Sequence, residues 1–326
     1  MKTGRISANK FKRMWNWSWR QKSKTPICPI SPSLTGKIIV ITGGTKGIGL
    51  ETVNGLLERD AEVIMLSRDK DKAKEMISQN KKIDTLEDVL YRNKNKLYNI
   101  KGKLHFVKLD LGDVNSIVKT VDTLEDILWG RKIDILINNA GIALQEPWRE
   151  SSQGFELTFA VNVLGHHVLF KECHSKDLFK KSAHIIAVTG DIYIMADDCT
   201  PDYKYEGDSG MIAYARSKLG VMWWAYECHH LYPEYKVNIV HPGVVPMGLG
   251  ADSNSLSKRL LEYLLLTPKE GAQTTLLCAT QPDIENGAYY HNTLGKAILP
   301  DTDIALNIKK SKSFWTTLEN IYKDVK

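Results

Sequence analysis

Hydrophobic and polar positions along the chain alternate between two rhythms. Compact apolar runs rich in branched residues recur at 37–41, 61–66, 103–109, 133–137, 184–188 and 237–240. Such runs suit strands buried on both faces. Between them, apolar residues return every three or four positions at 48–57, 114–128, 155–170, 212–231 and 268–279, the period of helices with one buried face. Residues 69–78 read as a further, highly charged helix. Regular strand–helix alternation predicts a single α/β domain, a doubly wound parallel sheet with helices on both faces. Crossovers in such a sheet are right-handed. Ligands sit beyond the carboxyl ends of its strands.

Three stretches break the rhythm. Residues 79–102 are rich in Lys and Asn and longer than a connection needs, so a helical extension or surface insertion is expected. Residues 191–209 are polar and acidic and read as an exposed loop beside the site. Residues 244–267 lack periodicity until Leu260 and form a candidate lid over a substrate.

Charge separates the first 35 residues from the domain at 36–326. The net charge is +6, yet residues 1–36 carry eight Lys/Arg and no acid. Residues 37–326 hold 36 basic and 38 acidic side chains, a balance of −2. A near-neutral body argues against nucleic-acid binding. Residues 10–20 interleave cations with Phe11, Met14, Trp15, Trp17 and Trp19. That pattern fits an interfacial membrane anchor, an organelle transit peptide or a plain solvated tail. Pro26, Pro29 and Pro32 form a non-helical linker behind it. The five scattered cysteines and the lack of an 18-residue apolar run predict reduced thiols, no transmembrane helix and an intracellular setting. In that setting the protein is cytoplasmic, or membrane-associated or organellar through its N-terminal segment.

The first strand runs into Thr42-Gly43-Gly44-Thr45-Lys46-Gly47-Ile48-Gly49 and then a helix. Strand, glycine-rich turn and helix N-terminus together form a phosphate seat. Asn138-Asn139-Ala140-Gly141, Tyr214 with Lys218 four residues on, and Pro242-Gly243 follow in order, each after or beside a predicted strand. Together these motifs resemble the short-chain dehydrogenase/reductase family, a Rossmann-type fold, over roughly residues 37–280. The long interval before Tyr214 is similar to the retinol-dehydrogenase-like branch.

Several roles follow. The second strand ends in Ser67-Arg68 with no acid at that position. An acid there binds the ribose hydroxyls of NAD, whereas Arg accommodates a 2′-phosphate. Arg68, with Lys46, therefore favours NADP(H) over NAD(H). The resemblance places Asp110 and Leu111 beside the adenine, and Asn138, Ala140 and Gly141 beside the cofactor. Tyr214 and Lys218 share a helix face, and a nearby ammonium and a cationic nicotinamide would lower the phenol toward neutrality. Tyr214 is then the proton donor or acceptor, Lys218 its tuner and ribose ligand, and Asn162 the support of a proton relay.

The family's substrate-binding serine is missing. The chain reads Val188-Thr189-Gly190-Asp191. Gly190 takes the expected place, and a one-residue shift brings in Thr189 or Asp191. Thr189 is the hydroxyl candidate. After Pro242-Gly243, Val244 to Met247 lack the usual Thr or Ser. Cys173-His174 and Cys228-His229-His230 lack metal-ligand spacing, so no metal is expected. The chemistry expected is oxidoreduction of a small lipophilic alcohol and its carbonyl, a steroid, retinoid or lipid aldehyde. A catalytically silent nucleotide-binding sensor is the alternative. The pattern leaves the oligomeric state open, a homodimer included.

Overall fold

A computed structural model describes residues 2–10, 12–13, 25–71, 73, 103–143, 147–206, 210–245 and 265–326. Most of the aromatic stretch at 10–20, of the expected helix at 69–78 and of the expected lid at 244–267 lies outside these residues, as does the whole insertion at 79–102.

Nine strands among the described residues form one sheet. They are β1 Thr3–Arg5, β2 Ile38–Thr42, β3 Glu62–Ser67, β4 Lys103–Lys108, β5 Ile133–Asn138, β6 Phe179–Val188, β7 Lys236–His241, β8 Tyr289–His291 and β9 Gly295–Ile298. Their order is β1-β9-β8-β7-β6-β5-β2-β3-β4. Every neighbouring pair is parallel except the β8–β9 hairpin. The chain winds outward from β2 to β4 and then from β5 the other way, so the switch point falls between β2 and β5. Ligand crevices form at such points.

Seven α-helices are described: α1 Gly47–Leu57, α2 Val114–Leu128, α3 Leu157–Phe159, α4 Gly165–Ser175, α5 Gly210–Leu231, α6 Pro268–Thr280 and α7 Ile308–Val325. Strand residues alternate between two cores. Ile39, Ile41, Val63, Met65, Ile135 and Ile137 pack under α1 and α6. Val40, Ile64, Leu66 and Leu136 pack under α2, α4, α5 and α7. Burying each such aliphatic chain contributes about 1.5–3 kcal/mol, and both faces being covered explains the unbroken apolar runs.

The doubly wound α/β expectation holds, and the six expected strands are β2 to β7. Three further strands are added. β8 and β9 extend the sheet past β7, and β1 pairs with β9 through Thr3, Gly4 and Arg5. Part of residues 1–35, expected to stand apart, is thus built into the sheet edge. Of the exposed loop expected at 191–209, the described residues 191–199 differ. Asp191–Met195 forms a 3₁₀ turn, and Asp191, Tyr193, Ile194, Ala196 and Cys199 are buried. The acids that suggested solvent exposure include one neutralised inside the molecule.

The helix α7 has a stripe of Phe314, Trp315, Leu318 and Ile321. It lies on α5 and α4, with Phe314 against Phe159 and Trp223 and Trp315 against His167 and Trp224. Trp223 and Trp224 are therefore packing residues. All five cysteines are buried and unbridged. Among the described residues no helix is long and apolar enough to cross a membrane.

Candidate active site

The glycine-rich turn is fixed by backbone geometry. Gly43 and Gly47 take φ of 70° and 57°, the left-handed region open to glycine. At Gly43 a Cβ would lie 2.9 Å from Ala140, and at Gly49 it would run into the Gly43 carbonyl oxygen. At Gly47 nothing lies within 4 Å of that position. Lys46 is the N-cap of α1 and makes no side-chain cap bond. The start of α1 is therefore open at Gly47 and free of a side-chain cap, the surroundings a diphosphate requires. Asn138 adds a second sign of a ligand. Its buried side-chain nitrogen and oxygen have no hydrogen-bond partner, and buried polar groups are ordinarily paired.

Thr42 ties this turn to β5. Its hydroxyl accepts from the Asn139 and Ala140 backbone N–H groups at 3.0 and 2.9 Å. The Asn139 amide donates to Thr42 O at 2.8 Å. Thr42 Oγ1 also lies 2.9 Å from His166 Nε2. With both lone pairs used, the hydroxyl donates to His166 Nε2, so the histidine proton sits on Nδ1 and meets Asn162 O at 3.1 Å. Burial pushes His166 down to about 4, consistent with a neutral ring. His166 is a residue the sequence reading did not pick out.

Asn162 lies inside a π-helical turn, Ala160–Leu164, between α3 and α4. Such turns recur at functional sites because they re-aim one residue. The Asn162 side chain accepts from Ile142 N at 2.8 Å. It donates to Ile142 O and to Ser217 Oγ, both at 2.9 Å. Ser217 in turn donates to Tyr214 O at 2.7 Å. One amide thus links the loop after β5 to the helical turn carrying Tyr214 and Lys218. Ser217 was invisible as a linker in sequence because its role depends on a residue 55 positions away.

Tyr214 and Lys218 project from one face of α5. Lys218 is buried, its Nζ donates to Val188 O at 3.1 Å, and it lies 5.5 Å from the Tyr214 ring centre. A Cβ at Gly141 would lie 3.3 Å from Asn162 Oδ1 and 3.6 Å from Lys218 Nζ, so these groups frame one glycine-walled niche. Burial pushes Lys218 down to about 8 and Tyr214 up to about 12. The phenol was expected below its usual value. In the protein alone desolvation decides the direction, and lowering it needs further positive charge.

Other expected residues take these places. Arg68 and Lys46 are exposed beyond β3 and in the turn, with Thr45 and Ser67 hydroxyls joined at 3.0 Å between them. Asp110 Oδ1 accepts from Gly112 N at 2.9 Å, and Leu111 is buried beneath it. Gly43, Gly47, Ile48 and Gly49 belong to the turn and α1, while Ala140 lies against Gly43 and Gly141 against Asn162 and Lys218. Gly243, at φ 90°, follows Pro242 at the end of β7. Leu266 N donates to Val244 O at 3.0 Å, joining the two ends of the expected lid.

Thr189 does not face this niche with its hydroxyl. Its Oγ1 donates to Lys218 O at 2.9 Å and the residue is buried. Gly190 is extended, at φ −159°, and a Cβ there meets only Ile192 Cγ2 at 3.8 Å, so it has room for a side chain. Asp191 turns into the interior, where Tyr289 OH donates to Oδ1 at 2.6 Å and His291 Nε2 lies 3.1 Å from Oδ2. Burial opposes its ionisation, but His241, His291 and Tyr289 outweigh it and hold the carboxyl far below the usual range. Asp191, His241 and His291 bring potential ligand atoms within 4.8 Å of one another. The Arg13 guanidinium, 3.9 Å from Asp191, supplies positive charge there.

The model of the short chain dehydrogenase family matches residues 37–255. The chain is a short-chain dehydrogenase/reductase. It is 30% identical to human polyprenol dehydrogenase over 309 residues, covering 88% of this chain and 86% of the relative. It is 31% identical to human retinol dehydrogenase 14 over 300 residues, covering 87% and 85%. These relatives place it on the retinol-dehydrogenase-like branch. Among solved structures, an uncharacterized protein from Mycobacterium paratuberculosis shares the fold with TM-score 0.65 and 22% identity, over 90% of this chain and 95% of that one. A Serratia marcescens short-chain dehydrogenase/reductase variant aligns with TM-score 0.57 and 21% identity, over 84% and 100%. The family takes a nicotinamide nucleotide, NAD(P)(H), and the glycine turn, open α1 N-terminus and unpaired Asn138 fit such a group.

Proposed function

We propose that this oxidoreductase uses NADP(H) to interconvert a lipophilic alcohol and its carbonyl compound, of the retinoid, polyprenoid or steroid kind. The observation that carries the reading is the Tyr214/Lys218 pair on a buried helix, locked to Asn162 through Ser217 beside the glycine-walled niche. Arg68 and Lys46 are exposed cations at the strand end where a 2′-phosphate is read, which favours NADP(H). Met211, one turn before Tyr214, exposes an apolar side chain on the same helix. The names of the polyprenol and retinol relatives point the same way.

The bound nicotinamide supplies or accepts the hydride. Tyr214 gives the proton to the carbonyl oxygen, or takes it from the alcohol. Lys218 holds positive charge beside the phenol and stays aimed by Val188 O. Asn162 keeps the loop after β5 and the catalytic helix in register. With Thr189 turned to the α5 backbone, no hydroxyl at 189–191 is assigned to the substrate oxygen, and Gly190 leaves that wall bare.

The test pairs NADPH and NADH fluorescence titration with turnover of all-trans-retinal, a polyprenal and a short polar aldehyde. NADPH should bind more tightly, and the lipophilic carbonyls should be reduced faster. Tyr214→Phe should keep NADPH affinity and lose about 10²–10⁴ in rate. NADPH binding without turnover, unchanged in Tyr214→Phe, points instead to a nucleotide sensor. Membrane contact through residues 10–20 belongs to the same reading. Liposome flotation should weaken when Trp15, Trp17 and Trp19 are replaced by Ser.

A further inference from the structure

The turn that replaces the serine-bearing loop is held from outside the nucleotide fold. Asp191–Met195 starts directly after Gly190. Its Asp191 and Tyr193 side chains both reach one cation, Arg13, which arrives from the N-terminal segment. Arg13 Nη2 donates to Tyr193 OH at 2.8 Å and lies 3.9 Å from Asp191 Oδ1. Arg13 Nη1 donates to Asp303 Oδ2 at 2.6 Å, and Tyr193 OH donates to the same oxygen at 3.0 Å. The guanidinium carbon stands 5.2 Å from the Tyr193 ring centre. Arg13 is 6% exposed and Asp191 5%.

The remaining contacts close the cage. Tyr289 and His291 hold the Asp191 carboxylate, and its backbone N–H meets His241 Nδ1 at 3.4 Å. The Thr293 backbone N–H donates to His291 Nδ1 at 3.2 Å, so His291 carries its proton on Nε2, toward Asp191. Arg13 is thus the permanent cation among two buried carboxylates. Charges so buried persist only when paired, and removing one partner strands the others.

We propose that Arg13 is a positioning residue for the substrate side of the active site, acting through Asp191 and Tyr193 to hold Gly190 and the following turn against the end of β6. The N-terminal segment then contributes to the reaction without touching substrate or cofactor. Beyond tethering a terminus, this sets the wall facing the reacting oxygen, because Gly190 has no side chain to anchor itself. The kinetic consequence rests on the carbonyl-reduction reading, while the structural one does not.

The experiment compares the full-length chain with Arg13→Lys, Arg13→Met, Asp191→Asn and the Arg13→Met/Asp191→Asn pair, all with NADPH. Hydrogen exchange of residues 189–196 is read against Gly47–Leu57. Arg13→Met should speed exchange at 189–196 about tenfold or more and leave α1 unchanged. Arg13→Lys should restore most of the protection, and the double variant should fall short of the sum of its single effects. NADPH affinity should stay within about twofold, while the KM for a carbonyl that wild type reduces rises about tenfold at little cost in kcat. Unchanged exchange at 189–196, or equal loosening of α1, overturns the proposal whatever substrate the enzyme takes. If Arg13→Met does not fold, Asp191→Asn with Arg13 intact must loosen the same stretch, and protection as in wild type overturns the proposal.

Discussion

The two ends of the candidate site are built on opposite plans. At the nucleotide end, shape comes from what is absent: glycines without Cβ atoms, an uncapped helix and a threonine bonded to backbone N–H groups. At the substrate end, shape comes from charge. A bare glycine is followed by a buried carboxylate caged by Arg13, His241, Tyr289 and His291. The first plan leaves little to adjust, since backbone admits one geometry. The second is adjustable by side-chain replacement at several distant positions. A cofactor common to a family and a substrate particular to one member make these demands respectively.

Substitutions at either end sharpen this contrast. The largest effect is expected from Gly49→Ala, whose methyl group runs into the Gly43 carbonyl and crowds the Asn139 amide at 2.6 Å. Overpacking of about 1–3 kcal/mol should lower NADPH affinity about ten- to a hundredfold by titration. Normal affinity would break the view that this end tolerates no added atom. Gly190→Ser goes the other way. Its side chain fits, and losing such a donor typically costs about 10²–10³ in rate, so restoring it should raise kcat about tenfold. Gly190→Ala should not. A gain in both would mean that bulk, not the hydroxyl, was missing.

Replacing Arg68 by Ser should narrow the NADPH over NADH preference about tenfold, near the worth of one charge-assisted contact. The KM for carbonyl should not change. The smallest effect on catalysis concerns another buried carboxylate, Glu62, at the far end of β3. Arg131 grips it with two bonds of 2.6 and 2.9 Å and His105 lies at 3.0 Å. Burial works against its charge, yet these hydrogen bonds hold it at about 2. Its folded value is depressed, so its stabilisation is full above pH about 4.5 and fades as pH falls toward 2. With Arg131 partly exposed, Glu62→Gln should cost only about 1–2 kcal/mol in urea unfolding at pH 7. That loss should shrink below pH 4 and leave KM untouched. A KM change would mean that any buried ion pair, not the Arg13 cage alone, governs the substrate end.

The same contrast decides what the sequence discloses. The turn from Thr42 to Gly49 is contiguous, and Tyr214 and Lys218 are one turn apart, so local spacing reveals both. The six long strands declare themselves because both faces are buried. β1, β8 and β9 are three or four residues long, too short for any period to register. α7 does carry a readable stripe, Phe314, Trp315, Leu318 and Ile321. The Asp191 cage joins residues 50, 98, 110, 180 and 290 positions apart. No local pattern encodes such a meeting, and the acid at 191 and the base at 13 each read as surface charge. The bond from Thr189 Oγ1 to Lys218 O is hidden for a related reason, since only the fold brings that carbonyl within reach.

The contact between Arg13 and Asp303 also gives the molecule a timetable. Arg13 leaves the ribosome 290 residues ahead of Asp303, the last of its partners, an interval of about 15–60 s at roughly 5–20 residues per second. Throughout that time the seat of Arg13 is incomplete, while the bonds from Thr42 to the residues after β5 can form as soon as Asn139 and Ala140 have emerged. The glycine turn is therefore tied to the sheet early in the life of each chain, and the Arg13 cage closes only when synthesis is nearly complete.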